Sequence, residues 1–143
     1  NALDINLVNS ISSSIGCQSL VLHFDYRRDF LGRYIFYVNR GKIKLPLNFE
    51  QILDYVVECN PGEVVFQSIE LDGTKNGFDQ KFIQKFDLKF PIPVKFLGGC
   101  SGYSDLEDCH KINSLASFGV GAHFIIHGKY DAVLPSYKTP RFL

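Results

Sequence analysis

Four short apolar runs, with helix-like segments between them, limit what this chain can fold into. Residues 19–24, 63–68, 93–97 and 122–126 lack the clean alternation of a half-solvated strand, so each reads as a buried strand. The last three start 30 and 29 residues apart, the period of a strand–helix–strand unit. The first gap is 44 residues, and its surplus reads as an inserted hairpin in which 33–38 and 42–45 flank Asn39-Arg-Gly41. Strands that alternate with helices pair in parallel through right-handed crossovers. The expected class is therefore α/β.

The helical segments carry their own signals. Ile5, Val8, Ile11 and Ile15 recur at helical spacing, and Gly16 stops them. Asn48 opens a second helix with Gln51 placed for a capping box, and Asn60-Pro-Gly62 ends it after about Cys59. Phe78, Phe82 and Phe86 recur every four residues and predict one apolar helix face. Ser104 with Glu107 predicts another capping box, opening a helix that reaches about Phe118. Pro135 and Pro140 argue against a long helix in the tail that begins at His127.

A doubly wound sheet would carry a G-x-G-x-x-G loop after its first strand, and this chain has none. Its Gly-rich loops follow the third and fourth runs instead. A (βα)8 barrel keeps its phosphate site in the last two βα loops and takes about 250 residues. The 143 residues here suit one domain, the last four strands of such a barrel. With 45% hydrophobic and 21% charged residues, a packed core is expected rather than disorder. The absence of methionine and the start at Asn1 predict a piece of a longer protein or a processed product.

Charge and composition exclude several roles. Fifteen Lys+Arg balance fifteen Asp+Glu without a basic run, which argues against nucleic-acid binding. No apolar stretch approaches the roughly 18 residues of a membrane span, and no signal peptide opens the chain. Cys17, Cys59, Cys100 and Cys109 lack C-x-x-C spacing and read as free, mostly buried thiols of a cytoplasmic protein. No metal site is expected from the four histidines. The thirteen phenylalanines sit at helix and strand spacing and read as core.

Asp25 stands at the carboxyl end of the first run, where barrel enzymes keep their chemistry, and could serve as a general acid or base. Asp72-Gly-Thr-Lys-Asn-Gly77 has two glycines for tight turns with inward N–H groups, and Asp72 would face the cavity of Asp25. Gly98-Gly99 and Gly128-Lys129 follow the next two runs and together could cradle a phosphate. Glu63 opens the second run, at the opposite end of the barrel.

Gln18-Ser-Leu-Val-Leu-His-Phe-Asp25, the run from Pro61 to Asp79 with its D-G-T-K-N-G-F-D core, and Phe96-Leu-Gly-Gly99 resemble the cyclase subunit of imidazole glycerol phosphate synthase, HisF. The resemblance covers nearly the whole chain as strands five to eight of a (βα)8 TIM barrel of the ribulose-phosphate-binding type. It implies one half-barrel domain over 1–143, lacking the first four βα units. It also implies a carbon–nitrogen lyase/cyclase of histidine biosynthesis that uses ammonia from a glutaminase (HisH-type) subunit. The implied substrate is a bis-phosphorylated ribulosyl aminoimidazole carboxamide, converted to imidazole glycerol phosphate and an aminoimidazole carboxamide ribotide. Asp25 matches the strand-five member of an acid–base pair whose strand-one member lies in the missing half. Asp72 matches a substrate-contacting Asp, Gly73 and Gly99 match one phosphate site, and Glu63 matches a member of the ammonia gate. No metal or organic cofactor is implied.

The sequence also departs from that family. Gly128-Lys129 replaces the usual Ala-Ser after strand eight, and the residues from Lys44 to Leu47 replace a Thr and a Gly. The tail looks like a paralogous subfamily that amidinates sugars of bacterial surface polysaccharide. An inactive half-barrel is a third possibility. A half-barrel without strands one and four would leave two strand edges open, at 19–24 and 122–126. It would also expose an inner face expected to include Val21, Val65 and Phe124. The isolated chain is therefore expected to pair with another chain or aggregate.

Overall fold

A computed structural model describes residues 3–127 and 132–133. The order is α1 (Ile5–Ile15), a 3-10 turn (Cys17–Ser19), β1 (Val21–Arg28), β2 (Tyr34–Val38), β3 (Ile43–Lys44), α2 (Phe49–Cys59) and β4 (Glu63–Ser68). It continues through α3 (Gln80–Ile83), β5 (Val94–Leu97), α4 (Tyr103–Ile112), β6 (Ser117–Gly119), α5 (Ala122–Ile125), β7 (Ile126–His127) and β8 (Ala132–Val133). Six strands form one sheet in the order β3-β2-β1-β4-β5-β6, and β7 and β8 pair apart from it. The four strands β1, β4, β5 and β6 run parallel, and β2 and β3 add to β1 as an antiparallel hairpin.

Local chemistry explains the helix ends. The Asp4 carboxylate accepts from the N–H groups of Asn6 and Leu7, and Gly16 at φ 86 stops α1. Both arms of the Asn48–Gln51 capping box are made, at 2.9 and 3.0 Å. Asn60 takes the left-handed conformation and donates to the carbonyls of Val56 and Val57, ending α2.

Register sorts the strand residues into two faces. Phe24, Phe66, Phe96 and Phe118 stand opposite one another across four parallel strands and stack as a ladder, with ring centroids 5.7, 6.5 and 5.9 Å apart. This face meets the helices. Phe82 lies fully buried over it, in ring contact with Tyr26, Phe49, Phe66, Phe86 and Phe96. The opposite face carries Val21, His23, Asp25 and Arg27 of β1, Glu63, Val65 and Gln67 of β4, and Lys95 and Leu97 of β5. It would line the interior of a closed barrel.

Several expectations are corrected here. The strand β1 runs on to Arg28 because the hairpin continues its ladder, pairing Asp25 with Tyr37, so Asp25 lies inside the strand. The fourth parallel strand is Ser117–Gly119, not 122–126, and the latter run is mostly the helical turn α5. Phe118 joins the aromatic ladder, and that fixes the pairing. The helix α4 ends at Ile112, where Asn113 turns its side chain onto the N–H groups of Leu115 and Ala116. Its first turn starts at Gly102 without a side-chain cap, so the Ser104–Glu107 box does not form. The expected phenylalanine helix is one turn long, yet Phe78, Phe82 and Phe86 are all buried.

The expected apolar inner face is also corrected. It is largely polar, Val65 is buried, and Phe124 belongs to α5 rather than to a strand. Among the described residues, 21–24 have no strand partner on the hairpin side, because β2 pairs with β1 only from Asp25 onward. Gly128 and Lys129 lie outside the described residues.

Candidate active site

The parallel register places Asp25, Gln67, Leu97 and Gly119 on one tier near the carboxyl ends of the strands. A cavity of about 570 Å³ opens there, lined by Asp25 and Asp72 together with His23, Arg27, Arg40 and Gln67. Both carboxylates predicted to share one cavity therefore do so.

Each carboxylate is held. One oxygen of Asp25 accepts the Gly41 N–H at 2.7 Å, and the other lies 3.7 Å from His23 Nε2. The Gly41 donor comes from the Asn39-Arg40-Gly41 turn, whose three residues all take positive φ, at 55, 57 and 72°. Asp72 accepts from the Gln67 side-chain amide at 3.1 Å. Its loop begins where the Asp72 N–H donates to the Ser68 carbonyl, one turn beyond β4. Asp25 side-chain exposure is 13%, low enough to fix its direction while leaving an oxygen edge open to a ligand.

Beside Asp72 lies a smaller hollow of about 80 Å³, bordered by Gly73, Gly98, Gly99, Gly119 and Gly121. Gly98 and Gly99 lie at φ 96 and 97°, and any Cβ there would press on the Ser68 and Gly77 carbonyls. The Gly77 N–H donates to the Gly99 carbonyl at 2.7 Å, which locks the two loops together. Gly73 and Gly121 face open space. The loop after the fourth strand reaches this hollow through Gly119 and Gly121. Lys75 ties the hollow to the next segment, donating to the Ile126 carbonyl at 3.3 Å. Cys100 also borders it, and burial pushes its thiol up, so it stays protonated and unsuited to nucleophilic work.

Glu63 lies at the other end of the sheet, where its carboxylate meets Lys95 Nζ at 2.8 Å. The sequence pattern did not single out Lys95, Gln67 or Arg27. Alternation from Asp25 gives His23 and Arg27, but finding Gln67 and Lys95 requires the strand register. Among the described residues no group of three or more His, Cys, Asp or Glu could hold a metal ion. Among them, too, no helix is long and apolar enough to cross a membrane.

Four parallel strands with intervening helices, and loops that converge on one cavity at the strands' carboxyl ends, are the arrangement of half a (βα)8 barrel. The chain belongs to the family described as histidine biosynthesis protein, whose profile it matches over residues 2–130. It is 31% identical over 138 residues to "Putative imidazole glycerol phosphate synthase subunit hisF2" of Pseudomonas aeruginosa, covering 94% of this chain and 54% of that protein. It is 28% identical over 134 residues to "Putative imidazole glycerol phosphate synthase subunit HisF" of Leptospira interrogans, covering 93% and 53%. It is 29% identical over 103 residues to "Imidazole glycerol phosphate synthase subunit HisF" of Alkaliphilus metalliredigens, covering 72% and 41%. The chain spans about half the length of the curated relatives it matches.

Proposed function

We propose that this chain supplies the carboxyl-terminal half of a HisF-type cyclase subunit, a cytoplasmic protein that takes ammonia from a glutaminase partner. The observation that carries this reading is the placement of Asp25 and Asp72 on one cavity at the carboxyl ends of the parallel strands. Ammonia adds to a carbonyl carbon through its lone pair. A proton must then leave the nitrogen, and another must reach the oxygen that departs as water. Asp25, fixed by the Gly41 N–H and open on its other side, suits that transfer. Its acid–base partner would come from the amino-terminal half of the barrel. Asp72, steadied by Gln67, would hold the substrate, and Gly73 and Gly99 would receive one of its phosphates. Glu63, with Lys95, would stand where ammonia enters.

The test is Asp25→Asn in the intact protein. It keeps shape and hydrogen bonding but cannot exchange a proton, so ammonia-dependent turnover should fall about 10²–10⁴-fold with little change in substrate affinity. A variant that retains more than half of the turnover removes Asp25 from the mechanism.

A second reading keeps ammonia delivery and changes the acceptor to a sugar of surface polysaccharide. The tail sequence from His127 to Tyr137, with Gly128-Lys129, favours it. Ammonia-dependent conversion of an acetamido-sugar to its amidine, with water as the second product, in place of turnover of the bis-phosphorylated ribulosyl substrate would decide for it. No ammonia-dependent turnover of either compound would leave the inactive half-barrel.

A further inference from the structure

The cavity holds two cations that the acid–base chemistry leaves unused. Four arginines fall among the described residues, and they divide by face. Arg28 Nε lies 3.8 Å from Asp79, and Arg33 Nη2 lies 2.8 Å from Asp29, so these two are paired with carboxylates away from the cavity. Arg27 and Arg40 line the cavity, and among the described residues neither pairs with a carboxylate.

Arg27 is nevertheless held. Its Nε donates to the Tyr37 hydroxyl at 2.9 Å, and its guanidinium carbon sits 5.2 Å from the centre of that ring. Tyr37 is 7% exposed, so the platform is fixed by the core. Both terminal nitrogens of Arg27 are left for a ligand, already oriented as a fork. Arg40 follows from the turn, where it sits at φ 57 between two other residues of positive φ. Strained backbone of this kind gathers at binding and catalytic sites.

We propose that Arg27 and Arg40 form an anion subsite on the hairpin wall of the cavity, separate from the glycine-bordered hollow, that takes a phosphate-class group of the substrate. This rests on the reading of the cavity as the substrate site. Two guanidinium groups on one wall match a group with three terminal oxygens and about two negative charges. A carboxylate, with two oxygens, would fill a single fork. Asp25 and Asp72 are already engaged by Gly41 and Gln67, so the anion meets their charge partly quenched by donors.

The experiment counts phosphate. Inorganic phosphate is titrated calorimetrically into the intact protein at constant ionic strength. R27Q/R40Q should lose one equivalent relative to the wild type, or weaken it more than about tenfold. G99D should lose a different equivalent, and the combined variant should lose both. Y37F, which keeps the ring but removes the acceptor of Arg27 Nε, should weaken the same equivalent as R27Q/R40Q. If R27Q/R40Q binds phosphate with unchanged number and affinity, the subsite does not exist. If R27Q/R40Q and G99D remove the same equivalent, the anion belongs to the glycine-bordered hollow and the proposal falls. Should the double variant melt early, R27K decides, because lysine keeps the charge but not the fork. About tenfold weaker binding is expected, and unchanged binding overturns the proposal. Phosphate counts do not depend on Asp25, so a fully active Asp25→Asn variant would sink the catalytic reading without touching this one.

Discussion

Glu63 and Lys95, on neighbouring parallel strands, meet at 2.8 Å on the inner face of the sheet, at its amino-terminal end. Both side chains keep partial solvent contact, 25% and 36%, so water screens the attraction. The pair should contribute no more than about 1 kcal/mol to stability.

On the proposed HisF-type reading the pair stands on the ammonia route. In the intact protein combined with the proposed glutaminase partner, Glu63→Gln and Lys95→Met should leave melting nearly unchanged. Glutamine-driven turnover should fall about tenfold, while turnover with added ammonium salt should change less than about twofold. Equal losses with both nitrogen sources would remove the pair from the ammonia route.

The glycines of the hollow should differ sharply in cost. Gly99 has a positive φ and a backbone carbonyl where a Cβ would stand, whereas Gly73 has a positive φ and open space. Gly73→Ala should cost about 1–2 kcal/mol for the left-handed backbone alone. Gly99→Ala should cost more, because it also strains the Gly77–Gly99 bond, and it should raise KM for a phosphorylated substrate. Urea midpoints ranking the two variants the other way would contradict this geometry.

Phe82 is the keystone of the helix-side core. It is 0% exposed, and its ring centre lies 4.0 Å from that of Tyr26 and 5.4 Å from those of Phe66 and Phe86. Phe82→Ala should cost about 3–5 kcal/mol, a large part of a typical domain's 5–15 kcal/mol. Phe82→Leu should cost much less. Denaturant curves in which both variants fall within about 1 kcal/mol of the wild type would show that the ladder does not depend on this ring.

Alkali should weaken the fold. Burial, and then the Asp105 charge, push the Cys109 thiol up to about 12 from 9.0. Burial, and then Asp79, push the Tyr34 hydroxyl up to about 12 from 10.0. The folded state keeps protons that the unfolded chain releases, so stability is full below the unfolded pKa values and falls as pH rises from about 9 toward 12. Urea midpoints measured between about pH 8 and pH 11 should decline, and less steeply in Cys109→Ala and Tyr34→Phe. Equal slopes in all three proteins would show that other groups carry the effect.

Much of this architecture was legible in the sequence where signals were local. The strand β4 coincides with the predicted 63–68 because an apolar run follows the stop at Asn60-Pro-Gly62. Asn48 and Gln51 form the expected box because both partners lie within one turn. The failures are tertiary. Ser117–Gly119 is too short to read as a strand beside the longer apolar run at 122–126, and only the stacking of Phe118 on Phe96 selects it. The Ser104–Glu107 signature loses to Asp105, whose carboxylate accepts from the N–H groups of Phe78 and Ser101 and so serves neighbouring loops rather than the helix end. At the site, Asp25 and Asp72 were found from strand ends and loop chemistry. Gln67 and Lys95 were not, because their significance depends on which residue each strand sets opposite them.

The Gly41 N–H that holds Asp25 belongs to the peptide unit that joins Arg40 to Gly41. A ligand that draws on the Arg40 side chain thus pulls on the amide plane that aims the carboxylate. On the two proposed readings, recognition of the anion and alignment of Asp25 share one lever. Occupied and empty cavities should then differ in how sharply Asp25 is aimed.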